Sequence, residues 1–241
     1  MSEQETAKLG LPLVQPAQAQ KHVTVNEGLM RLDGLVNLVL ESADLATPPE
    51  TVVDGVAYGV PASAVNAWAG QGGRIAIGAN GGWVFADPAA GQRAMLRDRG
   101  LPAIHDGKAW RIGAITMGAL GSGLSAGLAE AVVTLTAGER VTSLVYIPAG
   151  AMVIGASARV VEKITGSAKT WRLGTVDSDG GGSDRFGKGL GLDAGSYAGG
   201  MLSLPMTYWA PAPLVISAEG GAFTGGAISV SVHWLTVAIP A

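Results

Sequence analysis

Three histidines are the first residues to ask for chemistry, and their spacing speaks against it. His22, His105 and His233 stand far apart, and none has a second metal-ligand type two to four residues away, the spacing that lets one helix or hairpin hold a metal. His105 abuts Asp106, but Asp106-Gly107 is a turn dipeptide, so that pair reads as hairpin chemistry. With no cysteine in the chain, disulfides and thiolate sites are excluded. Neither a G-x-S-x-G elbow nor a Walker sequence occurs. No catalytic residue and no cofactor is therefore expected. The densest polar stretch is DSDGGGSD, where Asp177, Asp179 and Asp184 could wrap a hard cation such as calcium. It lacks the twelfth-position glutamate of an EF-hand and the repetition of a calcium roll, so an inter-strand loop is the expectation. Glu130, Glu139 and Glu162 are isolated and read as solvated.

Aromatic rings are the other candidates, because sugars stack their apolar C–H faces on flat rings while polar groups take the hydroxyls. The last third of the chain offers Trp171, Phe186, Tyr197, Tyr208, Trp209 and Trp234. Trp234 shares the inward side of an alternating strand with Ile228, Val230 and Val232 and is expected in the core. Tyr208 and Trp209 are consecutive, so on a strand they point to opposite faces and one ring lies outside. Trp171, Tyr197, Tyr208 and Trp209 are the candidate glycan contacts, with a subunit interface as the other use of the Tyr208-Trp209 pair.

The element nearest the start is a helix. Thr24 and Glu27 stand at capping-box spacing, and Val25, Leu29, Leu32, Val36 and Val39 recur at steps of four, three, four and three. That is a narrow coiled-coil-type seam rather than a broad stripe. Leu35, Leu38 and Leu40 lie off it and need a second cover. The helix is expected to end near Glu41–Asp44, ahead of Pro48-Pro49. Whether it is an ordinary core helix or packs on other copies or a larger body, the pattern leaves open.

Beyond it, RIAIGANGGWVF and LPAIHDGKAWRI each place an apolar strand, a polar glycine turn and a tryptophan. Asn80-Gly81 and Asp106-Gly107 suit tight hairpins, and Trp68, Trp83 and Trp110 are expected in one shared core. The segment 113–130 is rich in Gly, Ala and Ser and reads as a connection, with Leu120, Leu124 and Leu128 spaced for a short helix. Candidate strands follow at Val132–Thr136, Ser143–Ile147, Ala156–Ile164, Trp171–Val176, Leu214–Ala218 and Ile228–Ile239. After Trp234 the alternation slips to Leu235, Val237 and Ile239, which suggests a bulge or a partly covered second face. The expected fold is mainly β: an N-terminal helix plus a small antiparallel β-meander, then a C-terminal jelly-roll β-sandwich. Its parts are an extended strip and anchoring helix at 1–45, the meander at 46–112, the connection at 113–130 and the jelly roll at 131–241.

Composition narrows the partners. The 241 residues suffice for two modest domains. A net charge of -3 offers no basic patch for nucleic acid. Only 15% of residues are charged, against about 25% for an average soluble domain, so much surface is expected to be covered by neighbours. Two uncharged stretches, Ile112–Ala129 and Gly220–Ala241, are broken by glycines or alternate with period two, so no membrane insertion is expected. The opening MSEQETAK is polar and acidic, unlike a secretion signal.

QPAQAQKHVTVNEGLMRLDGLV (Gln15–Val36) resembles the opening of a domain of unknown function found in prophages and in gene transfer agents, tailed-phage-like particles that carry host DNA between bacteria. The resemblance continues through Val53–Pro88, with its Gly-Trp hairpins in order. It extends to Ile147–Gly166 and Gly220–Trp234, which resemble jelly-roll modules of phage fibres and spikes. It implies a virion structural protein, a head spike or fibre attached through its N-terminal region, with Val25, Leu29, Leu32, Val36 and Val39 at an oligomer or particle interface. The implied partners are copies of itself in a trimer or pentamer, capsid or spike subunits, and host-surface polysaccharide. Phage structural proteins are assembled in the bacterial cytoplasm and leave by lysis. The alternatives are a tail-spike polysaccharide depolymerase, which needs two carboxylates in one groove, or a lectin-like module unrelated to phage.

Overall fold

The computed structural model describes residues 5–14, 21–176 and 182–240, in two units, one running to Gly123 and one spanning Leu124–Ile239. The fold is mainly β, as expected, with an N-terminal α-helix and, among the described residues, sheets whose strands pair mostly antiparallel.

In the first unit, helix α1 spans Lys21–Leu35. Thr24 and Glu27 therefore lie inside the helix and do not form the capping box expected of them. The helix also stops short of 41–44. Asn37 takes a left-handed φ of 46°, and the Val36 N–H makes the last helical bond to Leu32. The Lys8 ammonium donates to the Val36 and Asn37 carbonyls at 2.6 and 2.9 Å, placing a cation on the negative end of the helix. Val39 consequently belongs to strand β1 (Val39–Leu40), and Leu38 and Leu40 enter the core.

The N-terminal strip runs along α1 over its described residues 5–14. Asp33 is 2% exposed and accepts from Thr6 Oγ1 (2.8 Å), Lys8 N (2.9 Å) and Leu9 N (2.6 Å). Asn26 holds both backbone groups of Val14, accepting from its N–H at 2.8 Å and donating to its carbonyl at 3.0 Å.

The sheet of this unit comprises β1, β2 (Ala57–Gly59), β3 (Ile75–Ala79), β4 (Gly82–Ala86), β5 (Arg93–Leu96), β6 (Leu101–His105) and β7 (Trp110–Ile112), ordered β4-β3-β2-β1-β5-β6-β7. The short β1 is parallel to β2 and β5, so the sheet is mixed rather than a pure meander. Ile75 and Ile77 face α1's side, while Ala76 faces an aromatic cluster in which Trp68 and Trp83 meet edge-on at 5.1 Å beside Tyr58. Trp110 does not join them. It packs on the opposite face, against the His105 ring at 5.0 Å, because strand alternation puts it there. Asn80-Gly81 turns β3 into β4 with both φ positive, as a tight hairpin requires. Asp106 works differently. Its carboxylate accepts from the Lys108 and Ala109 amides and from Arg111, so the side chain builds the turn.

The second unit holds β8 (Gly123–Thr134), β9 (Arg140–Ile147), β10 (Ala151–Gly166), β11 (Thr170–Gly174), β12 (Gly187–Leu190), β13 (Tyr197–Tyr208), β14 (Ala212–Glu219) and β15 (Phe223–Ala238). One sheet is ordered β13-β10-β15-β8 and the other β12-β11-β14-β9. The pairs nest: β11 with β12, β10 with β13, β9 with β14 and β8 with β15. A single long hairpin rolled over itself gives that order, and it is the order of a jelly roll. Between the sheets lie Ile147, Val153, Trp171, Leu173, Leu214, Ile216, Ile228 and Val232.

Two strands here were not expected from sequence, and one was expected as something else. Segment 113–130 is strand from Gly123 onward rather than a connection or a short helix. Gly127 lies under the Trp234 indole, where a Cβ would stand 2.1 Å from the ring, so the small residue makes room for packing. β13 carries Gly199, Gly200 and Pro205, which read as breakers. As an edge strand with a wide bulge opposite Val153–Gly155, it absorbs the proline without losing a ladder bond. The bulge suspected near Trp234 falls on the partner strand, where β10 holds Ile154 as an extra residue between Val153↔Trp234 and Gly155↔His233. Beyond it, Val237 and Ile239 stay exposed rather than covered.

Candidate functional site

Two surfaces gather the candidates, one in each unit. On α1, Gly34 sits so close to Ile77 that a Cβ there would lie 2.6 Å from its side chain, and Arg31 donates to the Phe85 carbonyl at 2.6 Å. These contacts fix which side of the helix meets the sheet. At 3.6 residues per turn, the Val25-Leu29-Leu32-Val36 line is rotated about 160° from that side, nearly opposite it. Val25 (47%) and Leu32 (50%) are exposed, Leu29 and Val36 are half-buried, and Val39 is exposed on β1. The seam is thus not this unit's core.

On the jelly roll, residues that alternate away from the core on β10, β13 and β15 line up in rows. Tyr197, Arg159 and Ser229 form one row, and Gly199, Ser157 and Ser231 the next. With Glu130 of β8 they line a shallow groove of about 370 Å³. The Arg159 guanidinium lies 5.9 Å from the centre of the Tyr197 ring, which is 70% exposed. Ser157 and Ser231 share a hydrogen bond of 2.8 Å, and His233 Nε2 stands 3.4 Å from the Ser231 hydroxyl. An open ring, three hydroxyls, one guanidinium and one carboxylate are what a saccharide face needs: a stacking platform with donors and acceptors around it.

The four candidate glycan contacts do not come together. Trp171 is fully buried, its Nε1 donating to the Gly191 carbonyl, and Tyr208 is a core residue with its hydroxyl 3.4 Å from Thr175 Oγ1. Neither can touch a glycan, because each fills the space between the sheets. Trp209 is exposed, as is Tyr197, but it directly follows β13 at the end away from Tyr197. The β10 partners of Tyr197 and of the adjacent Tyr208 are Arg159 and Ala151, eight residues apart and about 26 Å at strand rise. Of the groove, only Tyr197 was singled out from sequence for binding. Ser229, Ser231 and His233 alternate along one face of β15, but their neighbours on β10 and β13 follow from pairing that periodicity does not reveal.

The remaining candidates stay apart. His105 is buried with its Nδ1 accepting from Gly107 N; burial holds its imidazole below the ordinary value, opposed by the Asp106 carboxylate. Asp177 and Asp179 lie outside the described residues, and Asp184 meets Lys188 at 3.4 Å. Among the described residues no group of three or more His, Asp or Glu is placed to hold a metal ion, and no helix is long and apolar enough to cross a membrane.

Residues 25–111 match the family described as protein of unknown function (DUF2793). That segment runs from α1 into β7 and leaves the jelly roll outside it. No curated protein matches the chain. Among solved structures, a chain of the cyanophage Pam1 capsid asymmetric unit is similar at 17% identity and a TM-score of 0.33, covering 51% of this chain and 91% of that one.

Proposed function

We propose that this protein is a non-enzymatic structural component of a phage-like particle, a head spike or fibre of the gene-transfer-agent type. Its N-terminal unit joins it to itself and to capsid or spike subunits through the α1 seam. Its jelly roll contacts host-surface polysaccharide through the Tyr197–Arg159 groove. The observation that carries this reading is the seam: an apolar line on α1 turned away from the sheet that α1 covers, in a chain poor in charge. Apolar side chains at coiled-coil spacing left in water favour association. The resemblance of Gln15–Val36 to prophage proteins supplies the particle, and the jelly-roll strand order suits such a role, being shared by capsid and lectin domains.

Binding is favoured over glycan cleavage because Glu130 is the one lining carboxylate of the groove among the described residues, whereas glycoside hydrolysis uses a pair. The test is compositional. Particles banded from a lysed producing strain, stripped of loose protein by high salt, should retain the chain in a fixed ratio to the capsid subunit. Recovery of the chain only in the soluble fraction would overturn the assignment.

A further inference from the structure

We propose that the outer face of the β12-β11-β14-β9 sheet binds a small oxyanion between Arg172 and Arg140, over Ser217. On β14, Leu214 and Ile216 enter the core, so Ser217 belongs to the opposite, outer face. It is nevertheless 3% exposed, and its hydroxyl has no hydrogen-bond partner among the described residues. Its cross-strand neighbours are Arg172 on β11 and Arg140 on β9. Paired residues of adjacent strands share a face, so three donors stand in one row. Arg172 Nε is likewise enclosed and without an acceptor. Buried donors left unmade are unfavourable and rare enough to call for an explanation.

The next same-face residue of β14, Glu219, does not supply the acceptor. Its Oε2 already accepts from Thr170 Oγ1 at 2.8 Å and Gly189 N at 2.9 Å. Those bonds, helped by the charges of Arg172 and Lys188, hold its carboxyl below the ordinary range. The row is therefore rich in donors and positive charge and poor in acceptors. Its complement is a group with several oxygens and a negative charge, bridging the guanidinium groups while accepting a hydrogen bond from the serine hydroxyl. Sulfate, phosphate and the carboxylate of an acidic sugar share that chemistry. A neutral hydroxyl would satisfy one donor and bring no charge to the pair of guanidinium groups. Arg140 is exposed and is the side chain that swings to admit the ligand. Glu219 repels an anion, so the site is a weak one.

The test uses the full chain labelled with nitrogen-15, following the Arg172 Nε–Hε signal and the Ser217 amide. Inorganic sulfate and glucuronate are titrated separately against chloride at constant ionic strength. Saturable shifts at both signals are expected, with half-saturation at millimolar concentrations. Ser217→Ala and Arg140→Gln should each weaken binding about tenfold, the equivalent of one charge-assisted hydrogen bond. Arg172→Lys, which keeps the charge and the fold, should weaken it similarly because the Nε donor is gone. Tighter saturation by glucuronate assigns the site to an acidic sugar, and tighter saturation by sulfate assigns it to a free tetrahedral oxyanion. Shifts that stay linear for both ions, or saturation unchanged in Ser217→Ala and Arg172→Lys, overturn the proposal.

Discussion

Replacing Asp33 with alanine should free the N-terminal strap without unfolding the sheet. The carboxylate is buried and takes three bonds, from Thr6 Oγ1, Lys8 N and Leu9 N. Hydrogen bonds to a charged group contribute about 1.5–3 kcal/mol each, but the Lys8 and Leu9 amides regain water once the strap lifts. Thr6 is buried and loses most, and the Lys8 cap on α1 goes with the strap, at about 0.3–1 kcal/mol. A net loss of about 3 kcal/mol in the local opening free energy follows. That corresponds to roughly 100-fold faster hydrogen exchange at Lys8 and Leu9. Asp33→Asn should not rescue, because its amide nitrogen would face the Lys8 N–H donor to donor. Exchange followed by mass spectrometry over residues 5–14, with Ile75–Ala79 as internal reference, reads the effect. Unchanged protection of the strap in Asp33→Ala would refute the latch.

Three other perturbations probe separate parts of the account. Gly127→Val places a Cβ inside the Trp234 ring and should destabilise the jelly roll by about 1–3 kcal/mol; in thermal melts, Trp234→Ala added to it should cost less than the sum of the two single changes. The Asp106 turn should be sensitive to acid: its carboxyl is lowered from 3.8 to about 2, mainly by the Ala109 and Lys108 amides. A depressed carboxyl stabilises the fold above its unfolded pKa and ceases to as pH falls through the folded value. The Lys108 and Ala109 amide signals should thus titrate near pH 2, and not at all in Asp106→Asn. Tyr197→Ala should weaken particle adsorption to encapsulated cells by tenfold or more, since copies multiply a weak contact, while Tyr208→Phe should leave adsorption unchanged; equal adsorption by Tyr197→Ala and the unaltered chain would remove the groove from the account.

Periodicity carried the reading furthest where both the core and the turns use ordinary residues. Ile228, Val230 and Val232 alternate cleanly, and Asn80-Gly81 marks its hairpin. It failed where packing needed a residue that apolarity does not mark. The side of α1 that meets the sheet is defined by Gly34, which lets Ile77 approach, and by Asp33, whose burial depends on three distant donors. The seam's spacing alone left open whether that line is core or an outside contact, and the structure turns it away from the sheet. β8 was hidden for the same reason, since Gly127 is small on behalf of Trp234, more than a hundred residues away. β13 was hidden by Pro205 at an edge. The groove could not be read in advance because Arg159, Ser157 and Tyr197 become neighbours of Ser229 and Ser231 only through strand pairing.

The central claim, attachment through the outward seam of α1, is tested most directly by counting copies of Leu32→Asp on banded particles. Leu32 is half-exposed and is not one of the buried core residues, so the variant should fold and melt as the unaltered chain does. A carboxylate pressed into an apolar interface without a partner is strongly unfavourable. Quantitative mass spectrometry against the capsid subunit should show occupancy reduced at least tenfold, with Tyr197→Ala particles fully occupied in parallel. Normal occupancy of the Leu32→Asp chain would contradict the account.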